Sequence, residues 1–181
     1  MNLKTKDLTV VGLLTALSIL IPQISPTIGV IPFTATFASH VPVIISTFIS
    51  PTAAFATAIG SGIGFAIKLG NPFVTARAFS HVFFAVIAAI MLRKKFNYAF
   101  VLFIAMFIHG IGEAFVAVPI MNLIGFTSEK EIILKTVLYG TFIHHCIDSI
   151  VSVLILVPLS KSKLIDYEFS KSNLFKIKGQ Q

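Results

Sequence analysis

Between residues 7 and 159 the chain is a succession of apolar runs of helix length, separated by proline, glycine or short basic clusters. A bilayer offers no water to satisfy backbone N–H and C=O groups, so such runs are built into it as helices or as a closed barrel. Barrel strands alternate apolar and polar residues over about ten positions, and these runs do not. The expected fold class is therefore all-α, an integral membrane bundle. With 56% hydrophobic and 12% charged residues, the chain also lies well outside soluble usage. Its single cysteine, Cys146, excludes an intramolecular disulfide.

The net charge of +7 raises the question of nucleic acid, and its distribution answers against it. Ten of the fourteen Lys and Arg residues sit at Lys4 and Lys6, in the cluster Arg93-Lys94-Lys95, and at Lys161, Lys163, Lys171, Lys176 and Lys178. That placement follows the positive-inside rule. The spacing predicts six transmembrane helices, near 7–22, 36–49, 52–69, 73–92, 98–118 and 132–159, with both termini cytoplasmic. Residues 1–163 form one membrane domain and residues 164–181 a basic cytoplasmic tail. The N-terminal Lys-Thr-Lys-Asp and the apolar run after it lack a small-x-small cleavage site, so the run reads as an uncleaved first helix. Residues 23–35 carry two prolines and a glycine among apolar residues and read as an irregular lid over a pocket, or as an interfacial loop. Pro22 and Pro119 are expected to stop their helices, and Ser128-Glu-Lys-Glu131 to cap the last one.

Arg77 places a full charge inside the fourth run. Such a residue costs several kcal/mol in lipid and faces a cavity, a partner or a ligand. His81 follows at i+4, and His109 with Glu113 and His144 with Asp148 repeat that spacing, which puts each pair on one helix face. Counted along the expected helices, His40, with Ser39 before it, and Arg77 lie in the outer third, with His81 one turn deeper. Glu113 is nearer the outside than His109, and His144 and Asp148, with His145 between them, lie near mid-depth. The polar residues of four helices thus collect in the outer half. The inner half carries almost no ionisable group, which describes a pocket open outward and plugged below rather than a pore. A guanidinium fork with neutral donors and nearby Phe33, Phe37, Phe73, Phe79 and Phe115 suits a small, flat anion. A structural ion pair of Arg77 with Glu113 or Asp148 is the plainer alternative.

The size, the six runs, the Pro-containing first loop, the basic loop and Gly12-x-x-x-Ala16 resemble the substrate-binding S component of an energy-coupling factor (ECF) vitamin transporter. The family's usual Ala-x-x-x-Ala departs here only at Gly12, a smaller residue. Ala38-Ser-His-Val-Pro42, Phe48-Ile-Ser-Pro51 and Arg77-Ala-Phe-Ser-His81 are most similar to the niacin-type members. The resemblance implies capture of a small carboxylated vitamin from outside, niacin before pantothenate, and delivery through a transmembrane coupling subunit and two ATPase subunits. It implies no catalysis and no cofactor bound by this chain. ATP is used by the partners, since no Gly-x-x-x-x-Gly-Lys-Ser/Thr run occurs here. It also implies that Arg77 takes the carboxylate, that His81, His40, His145 and Asp148 orient the ring nitrogen, and that Gly12 and Ala16 face the coupling subunit.

Two other classes compete. The histidines with Glu113 and Asp148 are ligand types for a transition metal, as in an intramembrane metal carrier or enzyme. Against it, there is no His-Glu-x-x-His, and cobalt or nickel S components would begin Met-His where this chain begins Met-Asn. The expectation is no metal. A purely structural membrane subunit is the third class, and it predicts no small-molecule binding.

Overall fold

The computed structural model describes residues 5–30, 33–123, 125 and 130–161. Lys4, the expected cap at Ser128 and the expected basic tail lie outside the described residues. The elements run α1 (Thr5–Ile24), β1 (Thr27–Val30), β2 (Phe33–Thr36), α2 (Val41–Ser46), α3 (Pro51–Leu69), α4 (Pro72–Phe79), α5 (His81–Arg93), α6 (Tyr98–Leu123) and α7 (Lys130–Lys161). Five helical stretches among the described residues are long and apolar enough to cross a membrane: α1, α3, α4 together with α5, α6 and α7. Their outward faces are apolar, with Phe103, Phe115, Ile143 and Leu154 exposed, whereas Arg77, His81, His109, Glu113 and Asp148 are buried. This inversion of the soluble pattern marks a multi-pass helical membrane protein.

The helix expected over 36–49 is the main departure. Only α2, six residues long, is regular there, with turns on either side. Six residues rise about 9 Å, far less than a bilayer core. The preceding stretch is an antiparallel hairpin instead, with Thr27 opposite Thr36 and their hydroxyls 2.8 Å apart. Hairpin and α2 meet at Ala38, whose φ of +61° is left-handed. Asp148 of α7 accepts from the backbone N–H groups of Ala38 and His40, at 2.9 and 3.0 Å, and so holds this junction.

Side-chain contacts fix the direction of each helix. Ser18 meets Thr57 and Gln23 meets Gly64, so α1 and α3 run in parallel. Arg77 meets Glu113, and His109 meets His145, so α4–α5, α6 and α7 alternate. The start of α1 and the end of α7 therefore lie at one end of the bundle. The Arg93-Lys94-Lys95 turn lies there too, and Arg93 donates to the carbonyl of Ile49 just after α2.

Local signals set most boundaries. Ser50 and Asn71 accept from the first N–H groups of α3 and α4, each followed by proline, and Gly70 closes α3 at φ +57°. Ser80 interrupts the expected fourth helix: its hydroxyl donates to the carbonyl of Arg77 at 2.6 Å, which bends the chain between α4 and α5. The stops expected at Pro22 and Pro119 do not occur, for α1 continues to Ile24 and α6 to Leu123. Neighbouring helices take up the freed backbone groups at such prolines. At the end of α1, Gln23 donates to the carbonyls of Ile19 and Gly64.

The expected small-residue helix is α3, and its glycines let α1 approach closely. A Cβ on Gly64 would lie 2.8 Å from the carbonyl oxygen of Ile19 and 2.9 Å from its Cα. Backbone cannot yield there as a flexible side chain would. Gly64→Val is therefore expected to destabilise the protein by about 1–3 kcal/mol or more, read as a lower unfolding temperature in detergent. An unchanged temperature would mean that α1 does not pack on α3 in this way.

Candidate functional site

The helix directions bring polar residues from α4, α5, α6, α7 and the α2 junction into one buried network. Arg77, near the end of α4, directs its guanidinium at Glu113 of α6, with Nη2 2.7 Å and Nε 3.2 Å from Oε2. Thr141 of α7 donates to the same oxygen. The Arg77 guanidinium lies 5.4 Å from the Phe33 ring centroid and 5.5 Å from that of Phe73, so aromatic faces lie on the cation. Gly140 makes room for this arrangement, because a side chain there would collide with the Phe33 ring.

One helical turn further in lies a layer of imidazoles. His40 Nε2 and His81 Nε2 are 3.2 Å apart. The Nδ1 atoms of His109 and His145 are 3.0 Å apart. His40 holds Asp148 through Nδ1 at 2.9 Å, and Ser61 of α3 stands 3.2 Å from His81 Nδ1. His144 completes the group, 3.4 Å from the Ser39 hydroxyl. All five histidines of the sequence thus belong to a single cluster.

A small cleft of about 20 Å³ opens onto this network. Ser39, His40, Arg77, His81 and Glu113 line it, together with His144, and Thr34 of the hairpin forms part of its wall. The volume admits a water-sized group. Towards the end of the bundle that carries the basic turn, Phe84, Ala85, Ala88, Ala105 and Leu156 form an apolar core, so the cleft does not continue through the protein.

Of the expected site residues, Arg77, His81, His40, Glu113 and Ser39 share the cleft wall. Asp148 and His145 are in the network but stand behind the wall. Asp148 is engaged by three donors from Ala38 and His40, and His145 packs on His109. The depth of His40 differs from the expected outer third. His81, His109 and His145 each lie near the middle of their spans. His40 is level with them, because residues 37–40, expected to open helix 2, are turns between the hairpin and α2. The ion pair of Arg77 with Glu113, weighed as the plainer alternative, is present, and the pair also lines the cleft.

Sequence reasoning noted His144 but left it out of the substrate site, and it missed Thr34, Ser61 and Thr141. The His144-x-x-x-Asp148 spacing was a usable signal for the first, whereas Ser61 and Thr141 look like ordinary small packing residues. Gly12 and Ala16 are exposed on α1, and a side chain at Gly12 would meet nothing within 4 Å. Neither position is buried inside the chain among the described residues. The close contact of α1 inside the chain is made by Thr15 and Ser18 against Gly60.

No protein-family model matches the chain, and no solved structure matches it. The chain is similar to the niacin transporter NiaX of Lactococcus lactis subsp. cremoris (strain MG1363), with 37% identity over 92 residues. The similar stretch covers 50% of this chain and 41% of that transporter.

Proposed function

We propose that the chain is the membrane-embedded substrate-binding component of an ECF-type vitamin importer and that its substrate is nicotinate. The carrying observation is Arg77, a buried cation between two phenyl rings at the wall of a blind cleft. Similarity to a niacin transporter supports the choice of vitamin. In this reading Arg77 receives the carboxylate while Glu113 and Thr141 hold its side chain in place. Phe33 and Phe73 pack on the guanidinium that receives the carboxylate. The imidazoles of the wall, His40, His81 and His144, and the Ser39 hydroxyl offer donors and acceptors to the ring nitrogen. His145 and Asp148 act from behind, by positioning His109 and His40.

The cleft is too small for a pyridine ring as it stands, so binding requires the hairpin of residues 27–36 to move aside and close again. Phe33 and Thr34 make the hairpin the gate. The end of the bundle bearing the Arg93-Lys94-Lys95 turn is cytoplasmic, which leaves the hairpin end outside. Gly12 and Ala16 form the shallow part of the outer α1 face onto which a transmembrane coupling subunit docks, and two ATPase subunits of that assembly supply the energy. Native mass spectrometry of gently purified protein tests the substrate: the expected result is a bound species with the mass of nicotinate, released on denaturation. A bound pantothenate in its place would contradict the assignment to niacin.

A further inference from the structure

The vitamin reading leaves one geometric feature unused: three imidazole nitrogens and a carboxylate oxygen that face one another in the buried layer. His40 Nε2 and His81 Nε2 are 3.2 Å apart. Glu113 Oε1 lies 3.5 Å from His81 Nε2 and 3.4 Å from His109 Nε2. A tetrahedral ion with bonds of about 2.0–2.1 Å holds its ligand atoms about 3.3–3.4 Å apart. Three of the six edges of such a tetrahedron fall near this length. One ring nitrogen from each of His40, His81 and His109 lies within 4.8 Å of the others.

The remaining nitrogens carry the second sign. His40 Nδ1 is held by the Asp148 carboxylate, His81 Nδ1 by the Ser61 hydroxyl, and His109 Nδ1 by His145. An outer partner on the far nitrogen, with the near nitrogen left to point inward, is how proteins orient histidines on a metal. Glu113 repeats the pattern, because Arg77 and Thr141 engage Oε2 and leave Oε1 directed at the imidazoles. His109 is fully buried and its Nε2 has no hydrogen-bond partner among the described residues, an arrangement that is costly unless something else fills it. The buried carboxylates of Glu113 and Asp148 also outnumber the cation Arg77 among the described residues.

We propose that His40, His81 and His109 hold a divalent transition-metal ion of the zinc type, with Glu113, whose Oε1 lies beside His81 and His109, closing in as the fourth ligand. Imidazole nitrogen with one carboxylate suits zinc or cobalt and not magnesium or calcium, which take oxygen. With the ion in place, the charges of Arg77, Glu113 and Asp148 sum to one net positive charge, complementary to an anionic ligand. His40 and His81 are then engaged by the metal, and Ser39 and His144 remain to meet a ring nitrogen. The metal site stands on side-chain geometry and does not require the vitamin reading.

The test uses full-length protein in a Cys146→Ser background, which removes the one exposed thiol, stripped with chelator and titrated with Zn2+ or Co2+ alone. About one ion per chain is expected, with the intense visible absorption of tetrahedral cobalt and a higher unfolding temperature in the presence of zinc. Ser61→Ala, which removes only the outer partner of His81, is expected to weaken the metal about tenfold to a hundredfold. His109→Gln is expected to abolish the cobalt spectrum. No retained ion and no zinc effect on unfolding would overturn the proposal. So would loss of the ion in His144→Ala with retention in His109→Gln, which would place it on the separate group His40, His144 and Asp148. Because no vitamin is present, failure to bind nicotinate leaves this result unchanged, and a protein that takes up no ion but binds nicotinate refutes only the metal.

Discussion

Arg77→Ala is expected to weaken nicotinate binding by at least about a hundredfold, the loss of one buried, charge-assisted contact. The guanidinium is the described cation at the cleft, and it is held by Glu113 at 2.7 Å and flanked by Phe33 and Phe73. Removing it also leaves the Glu113 carboxylate buried without its partner, which by itself destabilises a protein by about 3–5 kcal/mol. The single substitution therefore mixes two effects. The double variant Arg77→Ala with Glu113→Gln separates them, because no unpaired carboxylate remains. It is expected to fold near the wild-type stability and still not bind. Equilibrium binding to both variants in detergent is the measurement, and nicotinate binding at wild-type strength in the double variant would remove Arg77 from the site.

The second large effect concerns transport without binding. Replacing Gly12 and Ala16 together with leucine is expected to reduce uptake into cells to background and to leave nicotinate binding by purified protein unchanged. Both residues are exposed on α1, and a side chain at Gly12 meets nothing within 4 Å among the described residues. The added bulk is therefore harmless to the fold and harmful to a closely approaching helix of another subunit. Gly60 and Gly64 on α3 are the contrast, because α1 itself already fills the space beside them. If the Gly12 and Ala16 variant lost binding as well as uptake, these positions would serve the fold and not a partner.

Much of this site was legible because membrane burial makes polar residues conspicuous. The i, i+4 pairs Arg77/His81 and His109/Glu113 fell on inward faces because an apolar surrounding leaves them nowhere else to point. Their level along the helices was less legible. Helix counting assumed that the helix holding His40 began near residue 36, whereas only Val41–Ser46 is regular there, and within residues 23–35, read as an irregular lid or loop, Thr27, Ile28 and Thr34 pair as strands. Three such residues, interrupted by prolines and a glycine, carry too little alternation to distinguish a hairpin from an irregular loop. His40 therefore lies deeper than its position in the sequence implied. The convergence of all five histidines was not legible either. It depends on which faces of α5, α6 and α7 meet, and spacing within one helix does not specify a contact between helices. Ser61 and Thr141 became meaningful only with their partners, His81 and Glu113, in view.

The most direct measurement is equilibrium binding of labelled nicotinate to the purified chain in detergent, with unlabelled nicotinate, nicotinamide and pantothenate as competitors. Saturable binding of about one nicotinate per chain is expected, displaced by nicotinate far better than by nicotinamide, which lacks the carboxylate that Arg77 receives. Absence of saturable nicotinate binding by folded protein would contradict a niacin site in this cleft.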